Sequence, residues 1–332
     1  MRLRGCVPVL GESIGRRAFL RGTLGVGASA CCGIGIAIAG LPLPVAAQTG
    51  APTPTATGLR DGLGLLGGAG GNVLVLRNAA GAVLVDSGAP EHAAAIAAHV
   101  AKELGGAPVD LLFNTHWHLA HTGGNEALAA AGTRIIAHEN TRLWMSTEHY
   151  VDWQDRRYAP RPAAALPTDT FFSSDPQPQA IDLGDERLEY GHLREAHTDG
   201  DIYVFLRERN VIATGGVVAG DGYPVLDHAT GGWIGGLMDA TRKLLDLTDA
   251  DTLVVPASGP AQTREHLGIQ LDMVTAVRGR VEDLMRKGRS AEEMLAAGVT
   301  DEFDAYFGTN RERFISNVYD GLWWQGRLDG SL

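Results

Sequence analysis

Cysteine is nearly missing from this 332-residue chain: there are three, Cys6, Cys31 and Cys32, and all precede residue 33. The remainder can form no disulfide and can offer no thiolate to a metal, so any ion must be held by histidine or oxygen ligands. Basic residues are also scarce, 28 lysines and arginines against 39 acidic residues, for a net charge of −11. The first 47 residues carry five arginines and Glu12, so the chain without them stands at −15. A surface so acidic excludes nucleic acid and anionic lipid as partners. Beyond Gly58 there is no internal repeat and no low-complexity segment.

The N-terminal segment reads as an export signal. Arg16-Arg17-Ala18-Phe19-Leu20 opens an apolar, glycine- and alanine-rich run from Gly22 to Gly40, and Val45-Ala46-Ala47 supplies small residues for cleavage. Charged start, apolar middle and small-residue end describe a signal peptide, and the paired arginines favour the twin-arginine route to a periplasmic or secreted location. Its many glycines, with Pro42 and Pro44, argue against a transmembrane anchor. Ala28-Ser29-Ala30 before Cys31 lacks the large aliphatic residue expected of a lipoprotein signal. Residues 48–58 read as a disordered Pro/Thr/Ala tether. A domain spanning 59–265 and a C-terminal helical extension, 266–332, packed on it complete the expected organisation.

Within that domain, Asn72–Arg77 and Ala82–Asp86 read as a hairpin about Asn78–Gly81, Glu91–Leu104 as a helix, and Val109–Phe113 as a buried strand. Strands are also expected at Thr133–Ala137, Gln179–Leu183, Glu186–Tyr190, Ile202–Glu208, Val211–Thr214 and Thr252–Val255. Helices are expected at Trp233–Leu247, Ala261–Gly288, from Ala291, and at Asn310–Trp324. Between them, Trp144, Met145, Tyr150, Trp153 and Tyr158 stand in a long loop that serves as a lid or as a surface excursion. Strands with interspersed helices give either two packed sheets or one mixed sheet covered by helices.

The strand Val109–Phe113 runs directly into Thr115-His116-Trp117-His118-Leu119-Ala120-His121-Thr122-Gly123-Gly124. His116 and His118 alternate, so their rings can point the same way, and His121 follows a turn. A further candidate is His197, in Glu195-Ala196-His197-Thr198-Asp199-Gly200-Asp201. Three neutral imidazoles with one open position lower the pKa of a zinc-bound water to about 7. His92, His99 and His266 read as solvated helix residues, and His138, His149, His192 and His228 as structural hydrogen-bonding groups.

His116-Trp-His118-Leu-Ala-His121 resembles the HxHxDH motif of the metallo-β-lactamase superfamily. Ala196-His197-Thr198-Asp199 resembles its second motif and Val85-Asp86-Ser87-Gly88 its early strand end. Tyr223-Pro224 with Asp227, and Val255–Pro260, sit where its later motifs belong. The resemblance implies an α+β fold, an αββα sandwich of two mixed β-sheets flanked by helices, with metals at one edge of the sheets. It implies a first zinc on His116, His118 and His197. Of the second zinc's ligands only His121 is present; the other positions are Ala120, Gly216 and Ser258. Asp221 could substitute only if its loop folds back.

One Zn2+ is therefore expected. His121 would orient the nucleophile or act as general base, and Asp199, Asp201 or Asp86 would fix an imidazole tautomer. The expected function is an exported hydrolase acting through a zinc-activated water on an ester, amide, lactone or similar small organic substrate, with catalytic residues His121 and Asp199. The alternative is a non-catalytic protein of the same fold that binds a ligand or partner. Oligomeric state is left open.

Overall fold

The computed structural model describes residues 54–78, 81–172 and 177–329, with side chains to 326. The export signal and most of the tether lie outside these residues. Twelve strands form two large sheets. The first has the order β1 (Thr55–Arg60), β2 (Leu63–Gly67), β3 (Val73–Arg77), β4 (Ala82–Val85), β5 (Val109–Phe113), β6 (Arg134–His138) and β9 (Asp169–Phe171). It is antiparallel through β4 and parallel from β4 to β9. The second, β10 (Gln179–Asp182), β11 (Arg187–His192), β12 (Ile202–Leu206), β13 (Val211–Gly215) and β14 (Leu253–Pro256), is antiparallel except for the β13–β14 pair. Strands β7 (His149–Val151) and β8 (Arg156–Tyr158) form a separate hairpin.

The two-residue period of the strands explains the layering. Leu74, Leu76, Val83, Val85, Leu111 and Phe113 point inward and meet Ile202, Val204, Leu206, Val211 and Ala213 of the second sheet. Their neighbours Val73, Val75, Leu84 and Leu112 point outward, onto Ile96 and Val100 of α1 (Ala93–Glu103). On the far side, Tyr203, Phe205 and Ile212 meet α5 (Ile234–Leu247) and α6 (Arg264–Met285). Helix α5 buries Ile234, Leu237, Met238 and Leu244, an apolar stripe of helical period. Each such buried aliphatic side chain contributes about 1.5–3 kcal/mol. The result is the αββα sandwich of two mixed sheets.

Two expectations need correction, and a third gains detail. Residues 55–58 are an edge strand of the first sheet, β1, and no tether: they pair with β2 through the backbone while their side chains stay exposed. The aromatic loop is instead α4 (Glu139–Ser146) followed by the β7–β8 hairpin. The helical tail shares the core of the second sheet: Leu267, Met273 and Val277 of α6 and Phe314, Ile315 and Val318 of α9 (Glu312–Asp329) are buried in it. Among the described residues no helix is long and apolar enough to cross a membrane.

Candidate metal centre

Parallel pairing places the ends of β4 and β5 at one edge of the first sheet, and the ends of β13 and β14 at one edge of the second. Chain leaving β4 carries Asp86, chain leaving β5 carries His116 and His118, and chain leaving β13 carries Gly216. The loop before β12 carries His197, and its start is fixed beside the first loop by Ile202 N–H donating to Thr115 O at 2.9 Å. Asp86 adopts a left-handed backbone, φ 62°. That conformation is uncommon outside glycine. It presents the carboxylate to Thr115, whose N–H and Oγ1–H donate to Oδ1 and Oδ2 at 2.8 and 2.7 Å.

His116, His118 and His197 converge. Their ring centroids are 4.8–4.9 Å apart, and each pair is close to perpendicular, at 79–86°. One nitrogen from each lies within 4.8 Å of the other two. The outward nitrogens show which atoms face inward. Thr115 Oγ1 gives its proton to Asp86, so at its 2.9 Å contact with His116 Nδ1 it must accept. His118 Nε2 meets the Asp227 carboxylate at 2.9 Å, and His197 Nδ1 meets Val225 O at 2.7 Å. Both partners can only accept. Protons are thus fixed on the outward nitrogens, and His116 Nε2, His118 Nδ1 and His197 Nε2 turn lone pairs toward a shared centre. His118 Nδ1 and His197 Nε2 stand 3.0 Å apart, two neutral acceptors facing each other. Such an arrangement fits a cation and is unfavourable without one.

Burial keeps the rings of His116 and His197 neutral, as ligation requires. It holds His116 well below the ordinary imidazole value, reinforced by His121, His118 and His197. It lowers His197 to about 3, with His118 adding to the effect. Asp227 is the residue that sequence reasoning noted without giving it a task. Fully buried, it accepts from His118, from Trp153 Nε1 at 2.9 Å and from Thr230 Oγ1 at 2.7 Å. Burial alone would raise its carboxyl, but His118 and these donors hold it at about 2. No local signal could reveal the pairing, because His118 and Asp227 are 109 residues apart.

The other expected site residues are placed as follows. His121 is buried and lines the same cleft, 4.5 Å from His116 between ring centroids. Its Nδ1 lies 3.5 Å from Asp86 Oδ2 and makes no hydrogen bond among the described residues. Asp199 does not line the cleft: its carboxylate accepts from Trp144 Nε1 at 2.7 Å, and burial pushes it up to about 6. Asp201 holds the His197 backbone, accepting from the N–H groups of His197 and Thr198 at 2.6 and 2.7 Å. The ring tautomers are set by Asp227, Val225 and, through Thr115, Asp86. His138, His149, His192 and His228 do make structural hydrogen bonds. His92 and His266 are buried, contrary to expectation; His266 bridges Ala219 O and Tyr306 Oη.

The cleft over the histidines has a volume of about 180 Å³ and is walled by Trp153, Val218, Tyr223, Pro224, Val225 and Ala257. Gly216, Ser258 and the exposed Asp221 also line it. Gly216 stands directly against His197. A Cβ there would lie 2.6 Å from Cγ and 2.7 Å from Nε2 of that ring, with Cδ2 nearer still. The imidazole itself fills the space that any side chain at 216 would need.

The sequence matches the model of the metallo-beta-lactamase superfamily over residues 66–259. Among curated proteins none matches it. Among solved structures it is similar to a metallo-beta-lactamase from Pontibacter korlensis, at 19% identity and a TM-score of 0.53, over 67% of this chain and 99% of that one. A double mutant of the sec-alkyl sulfatase PisA1 aligns at 16% identity and a TM-score of 0.62, over 80% of this chain and 50% of the sulfatase. At these identities the two structures establish the fold.

Proposed function

The chain belongs to the metallo-β-lactamase superfamily, and from that premise we propose that it is a zinc-dependent hydrolase with one metal ion. The observation that carries the reading is the set of three inward lone pairs on His116, His118 and His197, each fixed by an outward acceptor. Imidazole-only donor sets suit zinc. When bound, the ion supplies a Lewis acid and an activated water for attack on a carbonyl centre.

The remaining chemistry belongs to the chain. Asp227, Thr115 and Val225 O hold the three tautomers, so the donor set is organised before the metal arrives. His121, on the cleft wall with its buried Nδ1 3.5 Å from Asp86 Oδ2, is the residue we assign to take up a proton. Asp199 acts at one remove, holding Trp144. Apolar side chains, Trp153, Val218, Pro224 and Val225, stand beside the polar histidines in the cleft, a mixed lining that suits a small ester, amide or lactone. Export by the twin-arginine signal to the periplasm or beyond is part of the same proposal.

Metal analysis of the purified protein after zinc reconstitution is expected to give close to one ion per chain, and none in His118→Ala. Turnover of some member of an ester, thioester and lactone panel should vanish in that variant. Full zinc loading with no turnover across the panel would instead favour a binding protein. Zinc content near zero after reconstitution would end the metal reading.

A further inference from the structure

We propose that the cleft selects against negatively charged substituents on the substrate, favouring neutral or amine-bearing esters and lactones, and that Asp221 sets this preference. The inference rests on the hydrolase reading above. Among the described residues that line the cleft there is no lysine or arginine, and the one carboxylate is Asp221, exposed at its rim. Behind the histidines stand two more carboxylates, Asp86 and Asp227.

The indole and phenol donors of the wall are already engaged, and the Ser258 hydroxyl, also in the lining, is neutral and offers no counter-charge. Trp153 Nε1 donates to Asp227, and Tyr223 Oη, turned away from the cleft, donates to Asp304 Oδ1 at 2.7 Å. Arg313 stacks over the Trp153 ring, 5.4 Å from its centroid, and does not line the cleft. A carboxylate or sulfonate substituent would therefore find no lysine or arginine in the lining to pair with, and would face Asp221. Charged groups desolvated without a partner are disfavoured. An ammonium substituent would find an ion-pair partner there. A bound divalent cation would carry less charge than Asp86, Asp221 and Asp227 taken together, so the field met by a substituent at the rim stays negative.

The test is a set of isosteric aryl acetates that differ only in an ammonium, neutral or carboxylate substituent, hydrolysed by the zinc-loaded protein. Catalytic efficiency is expected to fall in the order ammonium, neutral, carboxylate. The expected step is about five-fold, the worth of one charge pair near 4 Å in a water-like medium. Steps should shrink in 0.5 M salt. Asp221→Asn should level the order and Asp221→Lys should invert it. Titration calorimetry with the corresponding phenols supplies a readout without turnover, and should show the same order and the same response to Asp221→Asn. A preference for the carboxylate ester, or a charge order untouched by Asp221→Asn, would overturn the inference. No turnover of any ester with the calorimetric order intact would sink the hydrolase reading and leave the charge selection standing.

Discussion

Replacing Gly216 with alanine puts a methyl group where His197 stands. The added Cβ would lie 2.6–2.7 Å from ring atoms Cγ and Nε2. Carbon atoms pack at about 3.5–4.0 Å, so the ring or the β13 end must give by roughly 1 Å. Neither is free to do so. The ring is tied to Val225 O at 2.7 Å, and the His197 backbone is tied to Asp201 at 2.6 Å. Overpacking of this kind costs about 1–3 kcal/mol. Its larger effect falls on the metal, because ligand distances tolerate deviations of only about 0.2 Å. We expect zinc affinity, measured by competition with a chromophoric chelator, to fall at least about 10-fold, and the zinc-dependent rise in Tm to shrink with it. Gly279→Ala is the control: it lies on α6 with nothing within 4 Å of a Cβ, and should be neutral or slightly stabilising. Gly216→Asp should fail at least as badly, and should not create a second metal site. Zinc affinity within three-fold of wild type in Gly216→Ala would refute the packing argument.

Two further predictions concern groups outside the three ligands. Asp227→Asn replaces the charged acceptor behind His118 with an amide while keeping the volume; zinc affinity should fall about 10- to 100-fold by the same competition assay, with little change in far-UV circular dichroism. His138, at the start of α4, is lowered by burial, and secondarily by His192 stacked 3.8 Å away, to about 3. The unfolded chain, with histidine near 6.5, takes up this proton first, so the contribution is complete above pH 6.5 and is lost as pH falls toward 3. At about 1.4 kcal/mol per pH unit, lowering the pH from 6.5 to 5 should cost up to about 2 kcal/mol, several degrees in Tm. His138→Asn keeps an acceptor for the Asn140 N–H of the helix start, and its melting temperature should fall less steeply over that range. Parallel wild-type and variant pH profiles would refute the assignment.

How much of this was legible beforehand divides along a physical line. Strands whose side chains alternate between two cores, such as β5 and β12, and helices with a continuous apolar stripe, such as α5, announce themselves within a few residues. Strand β1 is held by backbone hydrogen bonds with exposed side chains, and β9 is three residues at a sheet edge after a proline-rich run, so neither carries a pattern. At the site the three converging histidines were legible, because their types and spacing are local or belong to a recognisable motif. Their orienting partners were not. Asp227 lies 109 residues from His118 and Val225 acts through its backbone, where residue identity carries no information. Gly216 shows the same limit from the other side. In the sequence it is a ligand position left empty, one loss beside Ala120 and Ser258. In the folded chain it is the residue that lets His197 lie beside His116 and His118, where the proposed metal would need it. Restoring a carboxylate there would therefore compete with the first site before it could build a second, so the proposed single-ion arrangement would follow from packing as well as from missing ligands.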